Sequence, residues 1–482
     1  MAPPEQPKVI RPLSNLLPEN LAEGSLEAVQ DAFHRAMALT VLEHPILQVG
    51  ILNEDSAVPS WIELKSVNLG NHISWQEVKA SESYDACLKE AIRNQLDSWF
   101  LDVETKPGWR ISMLWPEGTL QSLDVIFCWN HTNFDGVAGK ILHRSLLSNL
   151  NNPRVGQEPP NLNGNVLQLE SVADKFPPPP EKLIKIPISL GFALSTIWKE
   201  LRPPFLVSSD PTQASWAPIL EEPYRTEFRT FSIDDATLKK VIDKCRAHKT
   251  TMAGLLHALP LASLALQLGE DQKHYKKEAK SMYAITALDT RRFIPANTEA
   301  YPWHVPSTTM DNQMTICDHL FDEKLVGEIR RKGSDASSED EIMTRLEDIV
   351  WSAAVQARQD IQEKLDRGMS NDPSGLMNFV KDWRVQKKQQ LKKPRVGAWG
   401  VSNLGTLNGE VEGSGSGWEI ERAVFQLSCE LTSPVFHISS ISVKGKELCV
   451  DVSWQEGVVE AEVGDKLASD MEAWLRFLGA RA

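Results

Sequence analysis

The largely apolar run from Leu123 to Cys128 reads as a buried strand, and it is followed at once by Trp129-Asn130-His131-Thr132-Asn133-Phe134-Asp135-Gly136. From Val137 to Leu150 the apolar residues then fall at helical spacing. A strand, a short polar loop and a helix in that order commit the chain to an α/β arrangement. They also deliver a histidine at the end of a strand, with an aspartate four residues on and a glycine directly after it. Ligands and catalytic groups gather at such strand ends.

The same alternation runs through the rest of the chain in two stretches. Ser25 to Leu42 predicts an amphipathic helix, and Trp61 to Val67 and Trp109 to Trp115 predict strands. Asn151 to Glu222 is rich in proline, with a short apolar helix expected at Ile186 to Trp198. Beyond it, Glu227 to Ile233 predicts a strand, Asp234 to His248 a helix and Thr251 to Leu268 a long apolar helix capped by Thr250 or Thr251. A strand at Ser281 to Leu288, helices at His319 to Arg331 and Glu339 to Arg367, and strands between Val396 and Trp454 complete the pattern. A chain of 482 residues exceeds what one hydrophobic core serves. The expectation is an α/β (α+β) protein of two similar subdomains, 1–200 and 226–482, joined by a crossover at 201–225, with no short repeat.

Composition narrows the partners. The 51 basic and 65 acidic side chains leave a net charge of −14, which repels nucleic acid and anionic membranes, so a small-molecule ligand is expected. The six cysteines form no CxxC pair, which fits neither a disulfide framework nor a zinc site, and no metal is expected. The start of the chain, Met1-Ala2-Pro3-Pro4-Glu5-Gln6-Pro7, has no basic region followed by an apolar stretch, and the longest apolar segment, Met252 to Leu268, is short for a membrane span. A cytoplasmic monomer is expected.

A bare His-x-x-x-Asp arises readily by chance, but requiring the glycine lowers the expectation to about 0.04 per chain of this composition. His131 can accept and return a proton near neutral pH. Asp135 can orient the imidazole, or turn away and pair with a cation to hold the loop. Gly136, without a Cβ, allows a ligand to approach the backbone. The plain alternative is a histidine and an aspartate that merely cap the helix beginning near Val137.

The strand-borne histidine motif, the chain length and the two-part organisation resemble the chloramphenicol-acetyltransferase-like superfamily, which includes plant acyltransferases, condensation domains and fungal alcohol acetyltransferases. The fungal alcohol acetyltransferase branch is the nearest likeness. Ala287-Leu288-Asp289-Thr290-Arg291-Arg292-Phe293-Ile294-Pro295 is similar to the family's Asp-x-Arg segment, whose arginine pairs with the aspartate of the histidine motif. The spacing favours Arg291 over Arg292. Gly397-Ala398-Trp399-Gly400-Val401-Ser402-Asn403-Leu404-Gly405 is similar to the Ser-Asn-x-Gly stretch beside the family's thioester tunnel. The chain departs from the pattern in having Asn130 where many members have a first histidine, and in lacking Asp-Phe-Gly-Trp-Gly, which disfavours a plant-type member.

The resemblance implies acyl transfer from acyl-CoA, by default acetyl-CoA, to an alcohol, with His131 as general base and no covalent acyl-enzyme. It places Asp135 in a structural pair with Arg291, Gly136 where it makes room for the thioester, and Ser402, Asn403 and Trp399 at the oxyanion or tunnel. Lys392, Lys393 and Arg395, in the basic stretch Lys387 to Arg395, are candidates for the CoA phosphates, the plain alternative being a solvated charged loop. Trp303, Phe436 and His437 are candidates for the acceptor pocket. Two other readings stay open: a thioester carried on a partner protein, as in condensation domains, and a binding protein with an idle site. Gly413-Ser414-Gly415-Ser416-Gly417 lacks the context of a phosphate loop and reads as a hairpin loop.

Overall fold

The computed structural model describes residues 26–118, 120–151, 159, 161–201, 210–269, 279–296, 298–411, 417–432 and 434–481. The start of the chain, part of the proline-rich stretch and crossover, and the glycine-serine run at 413–416 therefore lie outside the described residues.

The strand–loop–helix unit consists of strand Asp124–Trp129 and helix Gly136–Leu150. The helix starts where it does because the Asp135 carboxylate accepts a hydrogen bond from the Ala138 N–H at 2.8 Å, satisfying one of the orphan donors of the first turn. Strand Asp124–Trp129 lies antiparallel to Trp109–Pro116, which pairs in parallel with Ile73–Val78. Helices Leu26–Glu43 and Gly136–Leu150 cover this three-stranded sheet, and Val29, Phe33 and Met37 bury against Trp109, Met113, Phe127 and Leu142. A buried indole needs a partner, and Trp109 Nε1 donates to Leu47 O at 3.0 Å.

The second half builds a six-stranded sheet in the order Met314–Phe321, Met282–Asp289, Trp399–Leu407, Phe436–Val443, Leu448–Gln455, Thr226–Ile233. Only the two pairings made by Trp399–Leu407 are parallel. One face packs on helices Met252–Gln267, Glu339–Arg367 and Ala461–Ala480, and its core includes Trp399, Phe436, Val450 and Trp454. The last helix comes close because Gly464 has no Cβ: one would stand 2.4 Å from the Trp454 ring. The other face turns toward the first half. There Leu407, Ile441 and Val443 join Trp418, Ile420 and Phe425 in the same apolar cluster as Phe127 and Phe134, so one core runs through both halves.

Several elements depart from the sequence pattern. Trp61 to Val67 is two strands, Ser60–Glu63 and Ser66–Asn68, which pair with different partners. The helix expected from His319 begins after it: His319 sits in strand Met314–Phe321, and Asp322 caps helix Glu323–Ser334. Pro187 delays the apolar helix to Leu190–Leu201, because a proline biases the residue before it away from helix. Part of the basic stretch is helical, Trp383–Gln390, started by the Asp382 cap. Strand Ile73–Val78 and helices Tyr84–Asp97 and Ala461–Ala480 were not anticipated. Among the described residues no helix is long and apolar enough to cross a membrane.

Candidate active site

His131 is exposed on the loop between strand Asp124–Trp129 and helix Gly136–Leu150. The loop is pinned from both ends. Asn130 N–H donates to Gly108 O at 2.8 Å, Asn133 N–H closes back on Asn130 O at 2.9 Å, and the Phe134 ring is fully buried. Holding the backbone in this way fixes where the imidazole can reach.

Asp135 points away from solvent, and both carboxylate oxygens are engaged. Oδ1 caps the helix, while Oδ2 accepts from Arg291 Nη1 at 2.7 Å and from the Gln313 N–H at 2.8 Å. Arg291 is 6 % exposed, and its second nitrogen donates to Asp311 at both Oδ1 (2.7 Å) and the backbone oxygen (2.8 Å). Asp289, two residues earlier, caps the turn that carries Arg291 and also pairs with Nη1 at 3.2 Å. Burial works to lower the Arg291 pKa, and the carboxylates of Asp135 and Asp311 outweigh it, raising the pKa above the ordinary arginine value. Arg292 is exposed, so the structure pairs Arg291 with Asp135.

Three consecutive residues of which sequence reading gave no hint complete the arrangement. Asp311 takes Arg291, Asn312 Nδ2 donates to His131 O at 2.6 Å, and Gln313 donates to Asp135. This strap ties the histidine loop to the second half. Asp-Asn-Gln is an ordinary polar triplet, and only the fold brings it to residue 131.

Gly136 meets a different neighbour from the one expected. A Cβ there would stand 2.8 Å from Leu404 Cδ2 and 2.9 Å from Phe425 Cζ, so the missing side chain accommodates these two residues. Lys140, one helical turn on, donates to Leu404 O at 2.6 Å and holds the end of strand Trp399–Leu407 beside the helix. Between them lies a cavity of about 70 Å³ lined by Trp129, Gly136, His143, Leu404, Phe425 and Gln426 among others. Burial pushes His143 down to about 4. A larger cavity of about 540 Å³ lies among helices Met252–Gln267, Glu339–Arg367 and Ala461–Ala480, and no residue of the histidine loop lines it.

The remaining candidates divide. Ser402 and Asn403 are half-buried on the strand that reaches Gly136, and Asn403 Oδ1 accepts from the Gly405 N–H at 2.8 Å. Trp399 is not at a tunnel: it is fully buried on the helix-facing side, stacked on Phe321, with Nε1 donating to His257 Nδ1 at 3.0 Å. Phe436 is likewise core, edge-to-face with Trp454, so it lines no pocket. His437, next along, faces the other way and is 7 % exposed. Trp303 is half-buried against Tyr301 and His304, and His304 contacts Asp311 at 3.4 Å. Arg395 is corrected too: it is 2 % exposed and donates to Glu430 O and Pro218 O, which removes it from any phosphate. Lys392 is exposed and Lys393 half-buried. The six cysteines are free thiols.

The family model of alcohol acetyltransferases matches residues 67–469. The chain is 27% identical over 453 residues to a probable alcohol acetyltransferase, FCK4, of Fusarium pseudograminearum, covering 92% of this chain and 85% of that protein. It is 23% identical over 455 residues to a probable alcohol acetyltransferase, crmB, of Aspergillus fumigatus, covering 91% and 89%. Among solved structures, it superposes on the TRI3 trichothecene 15-O-acetyltransferase of Fusarium sporotrichioides with a TM-score of 0.69 at 14% identity, over 97% of this chain and 89% of that one. The condensation domain of the monacolin K polyketide synthase MokA gives a TM-score of 0.53 at 11% identity, over 98% and 91%. The mixed α/β fold is that of the two-lobed acyltransferases.

Proposed function

This chain belongs to the alcohol acetyltransferase family and is an acyltransferase, and from that premise we propose that it moves an acetyl group from acetyl-CoA to an alcohol with His131 as general base. The observation that carries the reading is the full engagement of Asp135. With Oδ1 on Ala138 and Oδ2 on Arg291 and Gln313, that carboxylate clamps the loop, and the exposed imidazole four residues earlier is left to handle a proton.

In this mechanism His131 takes the proton of the acceptor hydroxyl as its oxygen attacks the thioester carbonyl. The new C–O bond forms, the tetrahedral intermediate collapses, and the C–S bond breaks to release the CoA thiolate, which recovers the proton from the imidazolium. A thiol pKa of about 8.5 makes this a good leaving group, so alignment and one base suffice, with no covalent acyl-enzyme. Ser402, the amide of Asn403 or a nearby backbone N–H serves the oxyanion. Lys392 and Lys393 attract the CoA phosphates, and Trp303 and His437 border the acceptor pocket. The two halves, 1–200 and 226–482, act as the lobes on either side of the substrates, with 201–225 as the crossover.

A second reading, a donor thioester on a carrier protein, is favoured by the exposed Lys387, Lys388 and Lys392, which would suit an acidic partner. Acetyl-CoA consumption against a panel of small, terpenoid and polyketide alcohols decides between them. Turnover with free acetyl-CoA that falls about 10²–10⁴-fold in a folded His131→Ala variant supports the proposal. Full transfer by that variant sinks it, and turnover only with a carrier-bound donor selects the second reading.

A further inference from the structure

Strands Phe436–Val443 and Leu448–Gln455 are buried on both faces, and polar side chains interrupt the apolar face that turns toward the first half. Trp399, Val401, Phe436, Ile438, Val450 and Val452 pack toward the helices. On the opposite face the ladder sets Ser402 beside Ser439, Ser439 opposite Asp451, and Asp451 opposite Thr230. Directly paired residues share a face, so these four form one polar row across four strands. It leads inward from the half-buried Ser402 to Ser439 (1 % exposed), Asp451 (1 %) and Thr230 (3 %). One pair along, His437 lies between Gly400 and Ser453.

The hydrogen bonds of this row do not close. Thr230 Oγ1 donates to Asp451 Oδ1 at 2.6 Å, Gln426 Nε2 donates to the same oxygen at 3.0 Å, and Ser453 Oγ donates to Leu427 O. Asp451 Oδ2, Ser439 Oγ and His437 Nε2 have no partner among the described residues. Leaving one buried polar atom unpaired is unfavourable, and three on one sheet face serve no packing purpose. Their position is informative. Gln426 also lines the cavity beside Gly136, and Phe425 next to it stacks on Trp129, two residues before His131.

We propose that Ser439, Asp451 and His437 form a substrate subsite that takes a neutral hydrogen-bonding group, a hydroxyl or an amide, and so helps to set substrate choice. The proposal rests on the acyl-transfer reading above. Such a group has two sources, a second oxygen function on the acceptor alcohol or an amide of the pantetheine arm of CoA. Ser439 and Asp451 stand directly opposite each other on the ladder, and their unpaired oxygens can grip either.

The test uses Ser439→Ala and Asp451→Asn in the full chain, with melting temperature, CoA affinity by calorimetry and KM for the best alcohol of the panel. Ser439→Ala removes an unpaired hydroxyl, so it melts no lower than the parent, while ligand binding weakens about tenfold. Asp451→Asn keeps the oxygen that Thr230 and Gln426 need and weakens the same step. A loss confined to CoA affinity identifies the pantetheine amide, and one confined to the acceptor KM identifies the alcohol. Folded variants with both quantities unchanged overturn the subsite. His131→Ala, measured alongside, separates the two readings: if it keeps full turnover while Ser439→Ala still weakens binding, the base assignment fails and the subsite stands.

Discussion

Arg291 Nη1 lies 2.7 Å from Asp135 Oδ2 although 156 positions separate the two residues in the chain, and both side chains are almost wholly buried. The same guanidinium holds Asp311, so one cation fastens two segments that flank His131.

Removing that cation strands two buried carboxylates. Arg291→Ala is expected to lose about 3–5 kcal/mol of stability, read by denaturant unfolding. Arg291→Lys should lose less but still damage turnover, because an ammonium cannot bridge both carboxylates with planar paired bonds. A lysine variant with parental kcat would remove the bridging role.

Gly136→Ala should melt lower, at a cost of about 1–3 kcal/mol, since its methyl group meets Leu404 and Phe425 inside van der Waals distance. Truncating Leu404 to alanine in the same chain should recover part of the loss. An unaffected Gly136→Ala melting curve would mean the neighbours yield freely.

Trp399→Phe leaves His257 Nδ1 without its donor in a fully buried setting. The expected result is a loss of about 1–3 kcal/mol with KM for acetyl-CoA unchanged. A raised KM at parental stability would return Trp399 to the substrate path.

Charge reversal at Lys392 and Lys393 should weaken CoA binding, and the deficit should shrink as salt is added. Equal affinity at low and high ionic strength would make this stretch a solvated surface only.

Stability should also respond to pH through Asp451. Burial raises its pKa to about 7, against the lowering effects of Thr230, Gln426, Lys89 and Arg229. Its unfolded value is about 3.9. Between those values the folded state holds a proton that the unfolded state has lost, so this group's contribution is full below about 4 and is lost as pH rises through about 7. The melting-temperature difference between parent and Asp451→Asn should therefore change across that window and level off above it; a flat difference would contradict the shift.

The histidine loop was legible because its signal is local: an apolar strand, a capping aspartate and helical spacing stand side by side in the sequence. Arg291 was legible by resemblance. The Asp311-Asn312-Gln313 strap was not, since its bonds depend on where a distant strand begins. Trp399 and Phe436 were misplaced for a reason that alternation does reveal. Residues 399 and 402 lie on opposite faces of one strand, and so do 436 and 437, so neighbours in sequence could not all border one pocket. Arg395 looked like surface charge because it follows four lysines, and only its bonds to Glu430 and Pro218 show it to be interior. Strand Phe436–Val443 mixes serine with apolar residues as a half-solvated strand would, but all its residues are buried, and Ile441 and Val443 join the core shared with the first half.

The strap also fixes the order in which the molecule can become competent. Residues 311–313 reach a ribosome's exit long after His131 does, and the loop lacks the Asn312 and Gln313 bonds until they arrive. A chain halted before them would carry the histidine without its anchorage, and so would a chimera that grafts the first half onto a relative with different residues there. Late, long-range closure of this kind is slow to form, and until it happens the histidine loop is not tied to the second half.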